Sequence, residues 1–138
     1  MKILDSSHPV FQQGSHIASG CFRMVYQSAQ HKDRVVKMGM ISDNKREAEL
    51  WKSSNRFLRK YLARVYAIST CGEFLVMQKT TPVGLRALKK HLIPVHLNYD
   101  AHRYNFGRLR DGRIVMHDYP IRSHKTTAGR RKARPEFV

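Results

Sequence analysis

Asp100-Ala-His102-Arg-Tyr-Asn105 sets an acid and an amide five residues apart, and a second acid, Asp118, follows just beyond the stretch Phe106 to Met116. Carboxylate and amide oxygens suit a hard divalent cation that keeps water and substrate phosphates among its ligands. The chemistry within reach is phosphoryl transfer. In that reaction one acid also accepts or orients the proton of the attacking hydroxyl, a role worth ~10²–10⁴-fold in rate. Phosphate charge needs cations as well, and the spacing resembles that of phosphoryl-transfer sites that carry a small-residue loop, a strand lysine and a helix glutamate upstream, in that order.

All three are present in the N-terminal half. Ile17-Ala18-Ser19-Gly20-Cys21-Phe22-Arg23-Met24-Val25-Tyr26 reads as strand, tight turn, strand. Gly20 lets the backbone approach a bound group there, and Phe22 is available to fold over it. Arg34-Val35-Val36-Lys37-Met38 is a β-branched run with a lysine near its end. A helix signal begins at Ser42 or Asp43, both good N-cap residues, and runs through Glu47, Glu49 and Trp51. Glu47 and Trp51 share a helical face, so an inward Trp51 turns Glu47 toward the sheet that carries Lys37.

Each residue taken singly also has a plainer reading. A strand-end lysine is commonly a solvated gatekeeper, and a glutamate near a helix start gains from the helix dipole without further purpose. A lone glycine marks a turn. Asp100 can cap a turn and Asn105 open the next one; His102 can pack with one nitrogen bonded to backbone. Asp118 before Tyr119-Pro120 can end a strand. The joint order and spacing favour the chemical reading.

The elements that must position these residues follow from the remaining pattern. Phe57 to Ser69 leads from the helix into a strand, Cys71-Gly72 makes a turn, and Glu73 to Gln78 is the next strand. With the three earlier strands these predict a five-stranded antiparallel sheet with one helix, an α+β arrangement. After Pro82, Leu85, Leu88 and Leu92 recur at helical spacing until Pro94 stops them. Phe106 to Met116 alternates around Asp111-Gly112, a hairpin signal, and such a hairpin holds Asn105 and Asp118 together across its open end.

At 138 residues and 41% hydrophobic, the chain can bury about two-thirds of its unfolded surface, enough for one core. No apolar run approaches the length that spans a bilayer, and the N-terminus lacks the apolar centre of a secretion signal, so no membrane partner and a cytoplasmic location are expected. Cys21 and Cys71 are not in metal-ligand spacing and read as reduced thiols; the histidines are too scattered for a zinc site. The net charge of +16 is uneven. It gathers at Arg56, Arg59, Lys60 and Arg64, at Arg86, Lys89 and Lys90, and in a tail with Arg122, Lys125, Arg130, Arg131, Lys132 and Arg134. The tail is expected to be disordered when free and, with the other clusters, to attract nucleic acid or an acidic protein patch with a strong salt dependence. The bland alternative is that the charge serves solubility alone, although balanced signs would do that as well.

Ordered in this way, the motifs resemble those of protein kinases, and in style they are most similar to the early host-shutoff serine/threonine kinases of short-tailed bacteriophages. The resemblance runs from about Ile17 to Tyr119. It implies a kinase-like domain over residues 1–121, with an N-lobe at about 10–79, a reduced C-lobe at about 82–121 made of a short helix, a catalytic-loop-like segment and a hairpin, and a basic tail at 122–138. It implies ATP and Mg2+. In that scheme Ala18, Gly20 and Phe22 stand in the phosphate-covering loop, Lys37 pairs phosphate, and Glu47 fixes Lys37, with Glu49 as the fallback. Met77 and Gln78 meet adenine, Asp100 is the catalytic acid, and Asn105 and Asp118 hold metal. The implied partner is a host protein, transcription machinery included, in the cytoplasm of the host cell. The alternative it leaves open is a kinase-shaped protein without transfer activity that inhibits a host protein or nucleic-acid machine through its basic surface. The chain departs from the family pattern at Ala18 and Arg23, which replace the first and third loop glycines. It departs again at Tyr99, which stands before the catalytic acid, and at Tyr119-Pro120, which follows Asp118.

Overall fold

β-branched and aromatic runs separated by short turns build an open sheet here, with one long helix laid against it. The computed structural model describes residues 1–20, 23–94, 103–119 and 130–132. The chain forms two compact units, one from Met1–Lys52 with Arg64–Lys79 and the other from Ser53–Ala63 with Thr80–Val138.

The first unit holds β1 (Lys2–Leu4), β2 (Gln13–Ser19), β3 (Met24–Ser28), β4 (Arg34–Met38), β5 (Val65–Ser69) and β6 (Phe74–Gln78), together with helix α1 (Ile41–Ser53), whose last residue belongs to the second unit. The strand order is β1-β5-β6-β4-β3-β2. Five of these strands are antiparallel neighbours, but the sheet has six strands and is mixed, because β1 joins β5 in parallel with Ile3 opposite Ile68. The expected five-stranded antiparallel sheet is corrected on this point. Three residues are too few to show an alternation, and β1 is recruited by the open edge of β5 and by Leu4, which packs on the core below.

Register sorts the sheet's side chains onto two faces. Val35 faces Met77 and Lys37 faces Leu75, so these share one face; Val36 and Val76 share the other. On the second face Val36, Val76, Ala67 and Phe11 form a core, and Phe11 arrives there on the 3₁₀ turn Pro9–Phe11. Helix α1 serves the first face. It starts at Ile41, earlier than the cap residues Ser42 and Asp43 suggest, because the Met40 carbonyl accepts from the Asp43 and Asn44 N–H groups at 3.0 and 3.1 Å. Asp43 then sits in the first turn, where its charge complements the helix dipole. Between β5 and β6 the turn depends on Gly72, at φ 81°, since a side chain there would also meet Ile41 Cγ2 at 2.9 Å.

The second unit holds α2 (Arg56–Arg59), α3 (Leu85–Lys89), β7 (Leu92–Pro94), β8 (Phe106–Arg108), β9 (Ile114–Met116) and β10 (Arg130–Lys132). Its core includes Leu58, Leu62, Leu88, Phe106, Val115 and Met116. The expected hairpin is present, with Phe106 opposite Met116 and Arg108 opposite Ile114. The helical run of leucines is shorter than its spacing suggests: α3 ends at Lys89, and Leu92 lies in β7. The tail also differs from expectation, because Arg130–Lys132 pairs antiparallel with Leu92–Pro94. An extended segment ending in proline offers one row of main-chain groups, and the tail supplies the partners for it. Among the described residues no helix is long and apolar enough to cross a membrane.

Candidate functional site

Lys37 lies on β4 and Glu47 on α1, and the two meet: Lys37 Nζ donates to Glu47 Oε1 at 2.9 Å. Both residues are 3% exposed. Alternation along β4 turns Lys37 toward the helix, and the 3.6-residue period carries Glu47 and Trp51 to the same side. A carboxylate this deeply buried is costly unless charge and hydrogen bonds surround it. The surroundings are supplied twice over. Arg23 grips the same carboxylate in bidentate fashion, Nη1 to Oε1 at 2.8 Å and Nη2 to Oε2 at 2.9 Å.

Asn44 completes the cluster from one helical turn before Glu47. It is fully buried. Its Oδ1 accepts from Arg23 Nη1 at 3.1 Å, and its Nδ2 donates to the carbonyls of Gly39, Gly72 and Glu73 at 3.0, 2.9 and 2.9 Å. One amide thus ties the entry of α1 to the β5–β6 turn and steadies the arginine. The result is two cations on one carboxylate, at the place where the sequence predicts phosphate.

The residues flanking the expected phosphate-covering loop are paired strands. Ala18 faces Val25, Ser19 faces Met24, and Gly20 N donates to Arg23 O at 2.8 Å. Among the described residues, a Cβ added at Gly20 would meet Arg23 O at 3.8 Å, an ordinary contact. Glu49, the fallback partner, is exposed. Met77 is fully buried in β6, opposite Val35 on one side and Val65 on the other. The Gln78 and Lys79 N–H groups donate to Arg64 O and Asp33 O, each at 2.8 Å, so these two donors are already committed within the first unit.

In the second unit the hairpin brings Asn105 and Asp118 together. Asn105 O accepts from His117 N at 2.8 Å and from Asp118 N at 3.4 Å. The Asp118 side chain is 42% exposed, with His117 Nε2 3.7 Å from its Oδ2. His117 is fixed at both nitrogens: Nε2 lies 2.6 Å from Tyr104 O, and Nδ1 lies 2.7 Å from Thr80 Oγ1. A carbonyl can only accept, so Nε2 carries a proton, and in the neutral ring the Thr80 hydroxyl donates to Nδ1. Gly107 makes room for this arrangement, because a Cβ there would overlap Thr80 and come 2.8 Å from His117 Nδ1. Tyr119, where the family pattern has phenylalanine, is a buried post whose hydroxyl donates to Ala63 O.

No group of three or more His, Cys, Asp or Glu side chains among the described residues is placed to hold a metal ion. Asn105 and Asp118 offer an amide and a carboxylate. That pair fits magnesium, which commonly takes one or two protein oxygens and fills its shell with water and substrate phosphate. Phe22, Asp100, Arg122, Lys125 and Arg134 lie outside the described residues, and of Arg130, Arg131 and Lys132 only the main chain of β10 is described.

Sequence reasoning missed Arg23, Asn44, Thr80 and His117 as organising residues. For Arg23 a signal existed. Val25 faces Lys37 across β3 and β4, and Arg23 stands two residues earlier, on the same side of the strand. Neither a protein-family model nor a curated protein matches this chain.

Proposed function

We propose that this chain is a phage-type serine/threonine protein kinase, or a kinase-like host-takeover protein, that transfers the γ-phosphate of ATP to a host protein. The observation that carries this reading is the buried Lys37–Glu47 pair at 2.9 Å. A strand lysine held by a helix glutamate is an ammonium fixed in place ahead of its ligand, and fixed charge stabilises a phosphoryl group without reorganisation during the reaction.

In this reading the Ser or Thr hydroxyl oxygen of the target attacks the γ-phosphorus. The bond from that phosphorus to the β,γ-bridging oxygen breaks, ADP departs, and the hydroxyl proton passes to Asp100. Lys37 takes up phosphate charge, and Glu47 keeps it in position. Asn105 and Asp118 hold magnesium, which when bound neutralises the phosphate oxygens. Ser123, Thr126 and Thr127 are candidates for self-modification.

A second reading is favoured by a different observation. Lys37 is almost fully enclosed, and Arg23, in place of a loop glycine, already saturates the carboxylate beside it. A chain so arranged suits a kinase-shaped inhibitor that binds a host protein or nucleic-acid machine through its basic surface.

Incubation with radiolabelled ATP and magnesium separates the two. Wild type is expected to label itself or a component of a host lysate, and both Asp118→Ala and Lys37→Met to abolish the label. Lys37→Met keeps the Arg23–Glu47 pair, and its loss is read as chemistry once its melting temperature matches that of wild type. Equal labelling by all three proteins removes the assigned site. A melting temperature unmoved by millimolar magnesium-ATP selects the inhibitor reading.

A further inference from the structure

Arg34 opens β4, Gln78 closes β6 and Arg64 stands just ahead of β5, so three chain ends lie side by side in the first unit. Arg34 and Gln78 are register partners. Gln78 exchanges two bonds with the main chain of Arg64: its N–H donates to Arg64 O at 2.8 Å, and its Oε1 accepts from Arg64 N at 3.2 Å. Two residues before Val36, Arg34 falls on the sheet face opposite to α1. On that face Tyr66 packs against the core of Phe11, Val36, Ala67 and Val76.

Both guanidiniums gather on the Tyr66 ring. Arg34 Cζ lies 3.8 Å from the ring centroid and Arg64 Cζ 5.0 Å. One arginine over a tyrosine is a routine packing device. Two on one ring are like charges held close together, and among the described residues neither is paired with a carboxylate. The Lys37 cluster on the opposite face shows the contrast, because there a glutamate is supplied for the cations. At the Tyr66 stack no such carboxylate stands among the described residues, and an anionic ligand can supply the charge.

We propose that Arg34, Tyr66 and Arg64 form a binding site for single-stranded nucleic acid. The guanidinium edges donate to phosphate oxygens, and the stacked guanidinium plane on the ring receives a base. An acidic peptide would satisfy the edges but offers nothing flat to lie on the plane. The chain's net charge of +16 draws such a polyanion in. The site uses none of Lys37, Glu47, Asn105 or Asp118, so it stands independently of the phosphoryl-transfer reading.

Fluorescence anisotropy of a labelled oligouridylate, titrated with the full chain at about 100 mM salt, tests it. Arg34→Gln with Arg64→Gln is expected to weaken binding about tenfold or more. Lys2→Gln with Lys52→Gln removes the same charge elsewhere in the first unit and should cost less than about threefold. Tyr66→Leu, which keeps every charge, should weaken binding about as much as the arginine pair, whereas Tyr66→Phe should bind like wild type. Should Tyr66→Leu fail to fold, the arginine pair against the lysine pair decides. Equal losses from the two pairs would reduce the effect to bulk charge and overturn the proposal. Displacement of the oligonucleotide by polyglutamate as readily as by unlabelled oligouridylate would overturn it too, in favour of an acidic peptide.

Discussion

The residues assigned to phosphate and to metal are held in place by opposite means. In the first unit, buried Lys37 and Glu47 and partly buried Arg23 are positioned by one another's side chains, with Asn44 bonding the arginine from one side and three carbonyls from the other. In the second unit, Asn105 and Asp118 are brought together by main chain, through one carbonyl that accepts two N–H groups, and the Asp118 carboxylate stays partly in water. Side-chain positioning gives a rigid charge array, but it makes the fold depend on residue identity. Main-chain positioning depends less on residue identity. Function-testing substitutions should therefore be structurally harmless in the second unit and hazardous in the first.

The largest effect expected from this contrast is at Glu47. Glu47→Ala leaves buried Lys37 and partly buried Arg23 without their shared carboxylate, a loss of about 3–5 kcal/mol in folding stability. Asp118→Ala removes a partly exposed carboxylate and should cost less than about 1 kcal/mol. Trp51, the chain's one tryptophan, lies buried on α1 four residues beyond Glu47 and reports the first unit by its fluorescence during urea unfolding, and amide exchange at Ala63 and Met116 reports the second. If the two variants lose similar stability, the distinction between side-chain and main-chain positioning is wrong.

Gly107 sharpens the comparison from the other side, because there the second unit does depend on one residue's shape. A methyl group at position 107 must push Thr80 away from His117, breaking a 2.7 Å hydrogen bond and opening the mouth of the hairpin. Gly107→Ala should cost about 1–3 kcal/mol. Amide exchange should quicken at Ala63 and Met116, whose N–H groups bond to Met116 O and Tyr61 O at 2.8 Å each, while the Trp51 transition stays in place. Adding Thr80→Ala to Gly107→Ala should restore part of the loss. A double variant less stable than Gly107→Ala would show that crowding against Thr80 is not the cause.

What could be read from the residues alone followed from local periodicity. The Lys37–Glu47 contact was legible because a β-branched strand and a helix each announce their inward face, and the hairpin was legible because Asp111-Gly112 stands between alternating runs. The reading failed where a neighbouring chain segment decided the outcome. Lys2–Leu4 is a strand only because β5 offers it an edge. Leu92 keeps the leucine spacing of α3, yet the chain leaves the helix and pairs with residues almost forty positions later. Asn44 carries no signal of its own, since its three acceptors come from two separate turns. Arg23 was visible only as a missing glycine, although alternation from Val25 already pointed it toward Lys37.

The smallest effect concerns a half-buried histidine in the second unit, where polar positioning gives way to packing. The His91 ring lies 6.3 Å from that of Tyr61 and 6.1 Å, edge to face, from that of Phe106. Its Nε2 is buried with no hydrogen-bond partner among the described residues, and this burial pushes the imidazole pKa below the ordinary 6.5. The unfolded chain therefore takes up a proton near pH 6.5 while the folded unit still refuses it. By linkage, stability is complete above about pH 6.5, declines as the pH falls below it, and stops declining once the folded-state pKa is passed. Amide exchange in the second unit should quicken between pH 7 and 5.5, after correction for intrinsic rates. His91→Leu should flatten that drift, and the remaining histidines cancel between the two proteins. The Trp51 transition should drift equally in both. An unchanged slope in His91→Leu would mean that the ring takes up its proton in the folded state, and that the aromatic enclosure does not exclude charge.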